Sequence, residues 1–232
     1  MTMTFIILAA LALALGLRYV TGFRAQRPQH YGASTPVFDV REVLKGPMLC
    51  EGVIYGPFGR VTTRFVAQMH AEWQGNEGRM TEEFRYDSGT VQHREWTLKL
   101  SDDGQIQATA PDLIGIGYGQ QSGATVMLAY DIKLTEEAGG HALKVTDWMY
   151  LMENGAIMNR SQFRKFGFKV AELVVLSQVP SSSETPPEPG PLKVLLLGKP
   201  ALATTRLKAA QSVLPSIATV ASLLAWAAKV PV

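Results

Sequence analysis

From residue 48 to residue 176 the chain alternates apolar and polar positions with a period of two. That period places successive side chains on opposite faces of a β-strand. Between Val61 and Trp73 the odd positions read Val, Thr, Phe, Ala, Met, Ala and Trp, and the even positions Thr, Arg, Val, Gln, His and Glu. One face is apolar and the other wet, as a half-buried antiparallel strand requires. Ala124 to Leu134 groups Ala124, Val126, Leu128, Tyr130, Ile132 and Leu134, and Val91 to Leu100 groups Trp96, Leu98 and Leu100. Short turn signals separate such runs: Gly56-Pro57-Phe58-Gly59, Gly75-Asn76-Glu77-Gly78, Asp87-Ser88-Gly89, Asp102-Asp103-Gly104, Ser122-Gly123, Ala138-Gly139-Gly140 and Glu153-Asn154-Gly155. Gly, Asn and Asp supply the positive φ of tight hairpins. The pattern predicts a mainly β domain, an antiparallel meander of about 8–10 strands that closes into a barrel and so removes its edges. A two-sheet sandwich is the alternative. Phe38 to Lys45, ahead of Gly46-Pro47, predicts a short helical turn leading into the first strand.

The N-terminus has a different period. No charge occurs from Met1 to Leu17, and Phe5 to Leu17 is continuously apolar or small. A membrane span needs ~17–25 residues, so the stretch reaches the lower limit. It has no basic residue ahead of it and no small-residue cleavage site after it, which favours an uncleaved anchor over a signal peptide. The expectation is a single-pass N-terminal membrane helix over residues 1–23 in a bacterial inner membrane. Arg18, Arg24 and Arg27 after the run favour a cytoplasmic domain by the positive-inside rule.

Candidate chemistry would show as polar groups on apolar faces. Glu82 shares a face with Met80, Phe84 and Tyr86; Arg94 with Trp96 and Leu98; Asp147 with Leu143, Val145, Met149 and Leu151; Asn159 with Ile157 and Phe163. A buried charge left unpaired costs several kcal/mol. Arg94 is therefore expected to pair with Asp147 or Glu82. As a site, these groups would hold the head of a ligand whose tail lies against Phe65, Met69, Trp96, Leu128, Tyr130 and Met149; as structure alone, they would be an interior ion pair. His70 and His93 fall on wet faces, and Cys50 reads as a small core residue. Gly115, Gly117 and Gly119 lack the strand-then-long-helix setting of a phosphate loop and read as bends or close packing. The sequence contains no HExxH, GxSxG or Walker motif. No metal site and no cofactor is expected.

The segments FDVREVLKGP (38–47), YDSGTVQHREWTL (86–98), TDWMYLMENGAIMNRS (146–161) and KFGFKVAEL (165–173) resemble the bacterial family called domain of unknown function 3833, over about residues 36–178. The resemblance implies a calycin- or lipocalin-like barrel, a membrane tether that is frequently a lipoprotein, and a link to membrane lipid modification. The chain has no lipid-acceptor cysteine after its apolar run. A lipoprotein habit points to the periplasmic side, against the arginine count, so the side stays open.

Charge completes the plan. Residues 1–35 and 192–232 carry cations and no acid, while 36–180 is net acidic, and the total of +2 argues against a nucleic-acid partner. Cys50 alone permits no intramolecular disulfide. The expected organisation is an anchor at 1–23, a basic linker at 24–35, a barrel at 36–178, a Pro/Ser-rich linker at 179–191, and a basic, weakly amphipathic or disordered tail at 192–232. Residues 209–228 are uncharged, with Pro215 and several hydroxyls weakening them as a second span. The expected partners are the lipid bilayer and a lipid-like small molecule. The expected function is binding of an apolar or amphipathic ligand in aid of lipid modification or transfer. Catalysis on that ligand and a purely structural scaffold are the alternatives.

Overall fold

A computed structural model describes residues 2–179 except 137 and 138. The linker and tail expected beyond Val179, including the stretch at 209–228, lie outside the described residues. Ten antiparallel strands form one closed barrel. They are β1 (Gly46–Tyr55), β2 (Val61–Gln74), β3 (Glu77–Tyr86), β4 (Val91–Leu100), β5 (Gln105–Thr109), β6 (Gly117–Ser122), β7 (Thr125–Lys133), β8 (Ala142–Leu151), β9 (Ile157–Lys165) and β10 (Phe168–Gln178). Each strand pairs with its sequence neighbour, and β1 pairs with β10 from Leu49↔Gln178 to Tyr55↔Glu172. Closure leaves no strand edge open. The sandwich alternative is excluded.

The expected turn regions fall between consecutive strands, although Glu77 and Gly78 begin β3, Ser122 ends β6, and Ala138 lies outside the described residues. Two further connections carried weaker signals. One is the 110–116 loop between β5 and β6. The other is the β9–β10 turn, where Phe166 at φ 51 precedes Gly167 at φ 84. Both positions have positive φ, as the twist-matched two-residue hairpin demands, and a phenylalanine in the first of them hides the signal. The glycines at 117 and 119 serve close packing. A Cβ on Gly119 would lie 2.3 Å from the Met127 carbonyl oxygen and 2.4 Å from the Leu128 side chain.

The N-terminal segment closes one end of the barrel. Helix α2 (Val40–Val43) is capped by Asp39, whose carboxylate accepts from the Arg41 amide at 3.0 Å. Phe38, Val40 and Leu44 are buried in the larger of two core clusters, with Trp96, Leu98, Ile106, Val126 and Val145. The Trp73 indole donates to the Leu44 carbonyl at 2.7 Å, fixing the plug to the wall.

Between the leading helix and the barrel, 3-10 turns form at Phe23–Ala25 and Pro28–Tyr31 and lie on the outer face of the barrel. The Tyr31 ring packs 5.4 Å from Trp148, which points outward from β8 yet is only 1% exposed. Tyr31 and Tyr150 both donate to the Gln26 side-chain oxygen at 2.6 Å. One sequence expectation, the N-terminal anchor, is corrected. Helix α1 (Thr2–Val20) is 19 residues long, and no helix among the described residues is long and apolar enough to cross a membrane. The continuously apolar part, Phe5–Leu17, spans ~20 Å at 1.5 Å per residue, against ~30 Å of hydrocarbon, and Arg18 follows it. The single-pass anchor and the inner-membrane location that rested on it are not supported.

Candidate functional site

Strand register puts every candidate ligand-binding residue on the inner face. Phe65 and Met69 come from β2, Glu82 from β3, Arg94 and Trp96 from β4, Tyr130 from β7, Asp147 from β8 and Asn159 from β9. Met69↔Glu82↔Arg94 are cross-strand partners, and so are Met149↔Asn159 and Asp147↔Ser161. The polar groups fall into two sets, with apolar packing on either side. The larger core cluster holds Trp96, Leu128 and Tyr130, and a smaller one holds Cys50, Phe65, Ala67 and Val175.

The first set is complete in itself. Asp147 accepts from the Asn159 amide, from the Ser161 hydroxyl at 2.6 Å and from the Tyr130 hydroxyl at 3.4 Å. Burial holds the Asp147 carboxyl above its ordinary range, while the hydrogen bonds from Ser161 and Asn159 and the charge of Arg94 pull the other way. This arrangement satisfies a buried carboxyl and fixes β7, β8 and β9 to one another. Alternation had singled out Asp147 and Asn159. It passed over Ser161, because a serine on an inner face does not stand out as a charge does.

The second set is not complete. Arg94 does not pair with Asp147 or Glu82 as expected. Its Nε donates to Asp112 at 3.1 Å, and the guanidinium lies 4.0 Å above the Trp96 ring. Asp112 sits in the irregular 110–116 loop, where no periodicity marks which way a side chain points, so sequence reasoning missed it. Arg94 Nη2 and Glu82 Oε2 are both buried, and neither has a hydrogen-bond partner. Glu82 is 7% exposed. Burial raises its carboxyl to about 7, against the pull of Arg94 and of the Trp96 indole, with Asp147 and Asp112 adding to the rise. An unpaired buried polar atom costs ~1–3 kcal/mol, so two facing one another across adjacent strands call for an explanation.

Both residues line a recess of about 810 Å³ that also takes in Met48, Met69, Gln92 and Asp112. Its lining includes the outward His70, Glu83 and His93 of the same strands, so only part of that volume is interior. Pro111, Asp112 and Thr135 carry it to the loops at the end opposite the α2 plug. That end has exposed apolar side chains, among them Phe58, Ile114, Ile116, Phe166 and Phe168. Phe65, Trp96, Tyr130, Asp147 and Asn159 are inner-face residues outside the recess lining; Met69 is on it. The apolar contact offered there comes from Met48 and Met69, flexible thioethers that adapt to an irregular guest.

Other reactive groups are quiet. Burial pushes the Cys50 thiol up to about 11, and its Sγ lies 3.1 Å from the Ser177 hydroxyl. His70 and His93 are exposed. Among the described residues no group of three His, Cys, Asp or Glu side chains is placed to hold a metal ion.

The structure thus defines a closed ten-stranded antiparallel barrel, plugged at one end, with a buried and partly unsatisfied polar layer across its middle. The chain belongs to the protein family of unknown function DUF3833, whose model matches residues 17–178. No curated protein matches it. Among solved structures it is similar to the S-type phycobiliprotein lyase CPES from Guillardia theta. That likeness has 12% identity and a TM-score of 0.46, covering 66% of this chain and 95% of that one. It is also similar to Rv2717c from M. tuberculosis, with 14% identity and a TM-score of 0.45 over 64% of this chain and 99% of that one. A redesigned β-barrel, mFAP1, bound to DFHBI, is similar at 11% identity and a TM-score of 0.34, over 60% of this chain and 98% of that one.

Proposed function

We propose that the barrel binds one amphipathic, lipid-like molecule, with its polar head at Glu82 and Arg94 and its apolar part against Met48 and Met69. The observation that carries this reading is the pair of buried, unpartnered atoms, Glu82 Oε2 and Arg94 Nη2, on the lining of one recess. A fold held only for its own sake gains nothing from leaving a donor and an acceptor unspent in its interior. Ligand sites, by contrast, are mostly apolar cavities with a few polar groups that fix orientation. Entry is through the loop end with the apolar rim, since α2 and Phe38 fill the other. A scaffold role would be served as well by an interior with every polar group satisfied, as Asp147 already is.

The test is native mass spectrometry of the full chain, together with titration by Nile red, an uncharged dye that brightens in apolar surroundings. The expected results are a one-to-one adduct and saturable dye binding. Met69→Trp, which fills the recess, should weaken that binding at least tenfold while melting stays cooperative. Bare protein in every preparation with no saturable dye signal overturns the proposal. A second reading, acid–base chemistry on the bound molecule, is favoured by the near-neutral Glu82 carboxyl. It predicts turnover of a bound amphiphile that Glu82→Gln abolishes.

A further inference from the structure

Resting on that reading, we infer that the head group is uncharged, carrying a donor and an acceptor together as an alcohol, an acylglycerol or a primary amide does, and is not a carboxylate, phosphate or amine. The argument is a count of charges and of unspent hydrogen-bonding atoms. Arg94 from β4 is the cation of this polar layer. Three carboxyls share it: Glu82 from β3, Asp112 from the 110–116 loop and Asp147 from β8. On the inner face the other titratable groups near these are Tyr130 of β7, Tyr86 of β3 and Cys50 of β1, whose protons burial holds in place, while His70, Glu83, His93 and Glu95 of the recess lining point outward. The guanidinium already has its counter-ion in Asp112 at 3.1 Å. It has no net positive charge left to offer.

The two unspent atoms then restrict the head further. Arg94 Nη2 needs an acceptor and Glu82 Oε2 needs a partner of its own. The residues are opposite one another in register, where Cβ atoms lie ~4.5–5.5 Å apart. A carboxylate or phosphate that met Nη2 would press a second anion against Glu82 and add to three carboxyls around one cation. An ammonium that met Oε2 would lie against the guanidinium. In a low-dielectric interior such like-charge contacts cost several kcal/mol. A hydroxyl or amide avoids both costs, because it accepts from Nη2 and donates to Oε2. A hydroxyl also suits either state of Glu82, donating to the carboxylate or accepting from the carboxyl. Its binding should therefore stay nearly flat as Glu82 titrates.

The experiment is displacement of Nile red from the full-length protein by four probes with the same twelve-carbon chain: 1-dodecanol, glycerol monododecanoate, dodecanoate and dodecylammonium. Each is measured below its micelle concentration at about pH 6 and about pH 8, on either side of the Glu82 transition. The expected ranking at the higher pH puts both uncharged probes at least tenfold ahead of both ions. The dodecanol midpoint should move less than about threefold between the two pH values, whereas dodecanoate should improve at the lower pH, where Glu82 takes up a proton and no longer repels it. Asp112→Asn supplies a second arm. Removing the counter-ion leaves Arg94 with a charge to offer, and dodecanoate should rise relative to dodecanol by at least tenfold. If dodecanoate or dodecylammonium displaces the dye as well as dodecanol does in the unaltered protein, the inference is overturned while binding itself stands. If no dye binds saturably, the binding proposal falls and takes the inference with it. Should Asp112→Asn fail to fold, the ranking in the unaltered protein decides alone.

Discussion

Glu82→Gln offers the cleanest access to the interior, because it alters one ionisation and almost no volume. The Glu82 carboxyl has an ordinary value of 4.5 and is held at about 7 in the fold, first by burial. Between those two pH values the folded protein keeps a proton that the unfolded chain has released. Stability from this group is therefore complete below about 4.5, falls as pH rises, and has been fully lost above about 7. At 1.36 kcal/mol per pH unit, a gap of ~2.5 units amounts to ~3 kcal/mol. Glutamine cannot ionise and escapes the loss. Relative to the unaltered protein, Glu82→Gln should gain ~3 kcal/mol between about pH 4.5 and about pH 7, which for a chain of this size is a relative rise of ~6–12 °C in melting temperature. Urea unfolding of both proteins at half-unit intervals from about pH 4.5 to about pH 8.5 measures the difference directly. Asp147, also held above its ordinary range by burial, titrates in both proteins, and only its coupling to the Glu82 charge differs between them. Only the change in the gap with pH matters, so a constant offset from imperfect packing of the amide does not disturb the result. Stability profiles that run parallel across that window would refute the burial-raised Glu82 carboxyl, and with it the basis of the site.

Other expectations follow from single contacts. Gly119→Ala drives a methyl group into the Met127 carbonyl oxygen and Leu128, backbone and core that cannot both yield, and should cost ~1–3 kcal/mol by thermal unfolding. Trp148→Ala removes a side chain that is 1% exposed beneath Tyr31 and should cost ~3–5 kcal/mol; near-neutrality would mean that residues 23–36 do not hold to the barrel. At Glu172 burial acts to raise the carboxyl, but hydrogen bonds from Lys169 and Arg160 outweigh it and hold the group below its ordinary range. Its stabilisation is present above about pH 4.5 and is lost as pH falls through the lowered value. Glu172→Gln should therefore destabilise at neutral pH and converge on the unaltered protein in acid, as followed by circular dichroism.

The barrel was legible because its evidence is repeated. Every strand from β2 to β4 and from β7 to β9 carries several alternations, and a one-residue slip would turn a whole apolar set outward. The same parity placed Glu82, Arg94, Asp147 and Asn159 inside, since a charge among apolar neighbours of equal parity shares their face. What alternation does not carry is distance between strands far apart in sequence, or direction within a loop. Hence Asp112 was invisible and the Arg94 pairing was misassigned. The anchor expectation failed for a different reason. The uncharged run Met1–Leu17 counts as just long enough for a span, but its continuously apolar part, Phe5–Leu17, ends at Arg18 too soon.

That missing partner changes the meaning of the site more than any residue correctly placed. An arginine buried in an apolar barrel, taken alone, implies an anion. With Asp112 on its Nε, the same arginine is already neutralised, and what it retains is a hydrogen-bond donor rather than a charge. The Glu82 carboxyl, raised by burial to about 7, likewise keeps one oxygen, Oε2, without a hydrogen-bond partner. If the proposed ligand binds here, specificity in the layer would depend on matching donor to acceptor across β3 and β4, where a lost partner costs ~1–3 kcal/mol, and not on attraction between opposite charges. Selection of that kind would reject a wrong head group by leaving buried atoms unpaired, which is also how a site built for hydrogen bonding discriminates most sharply.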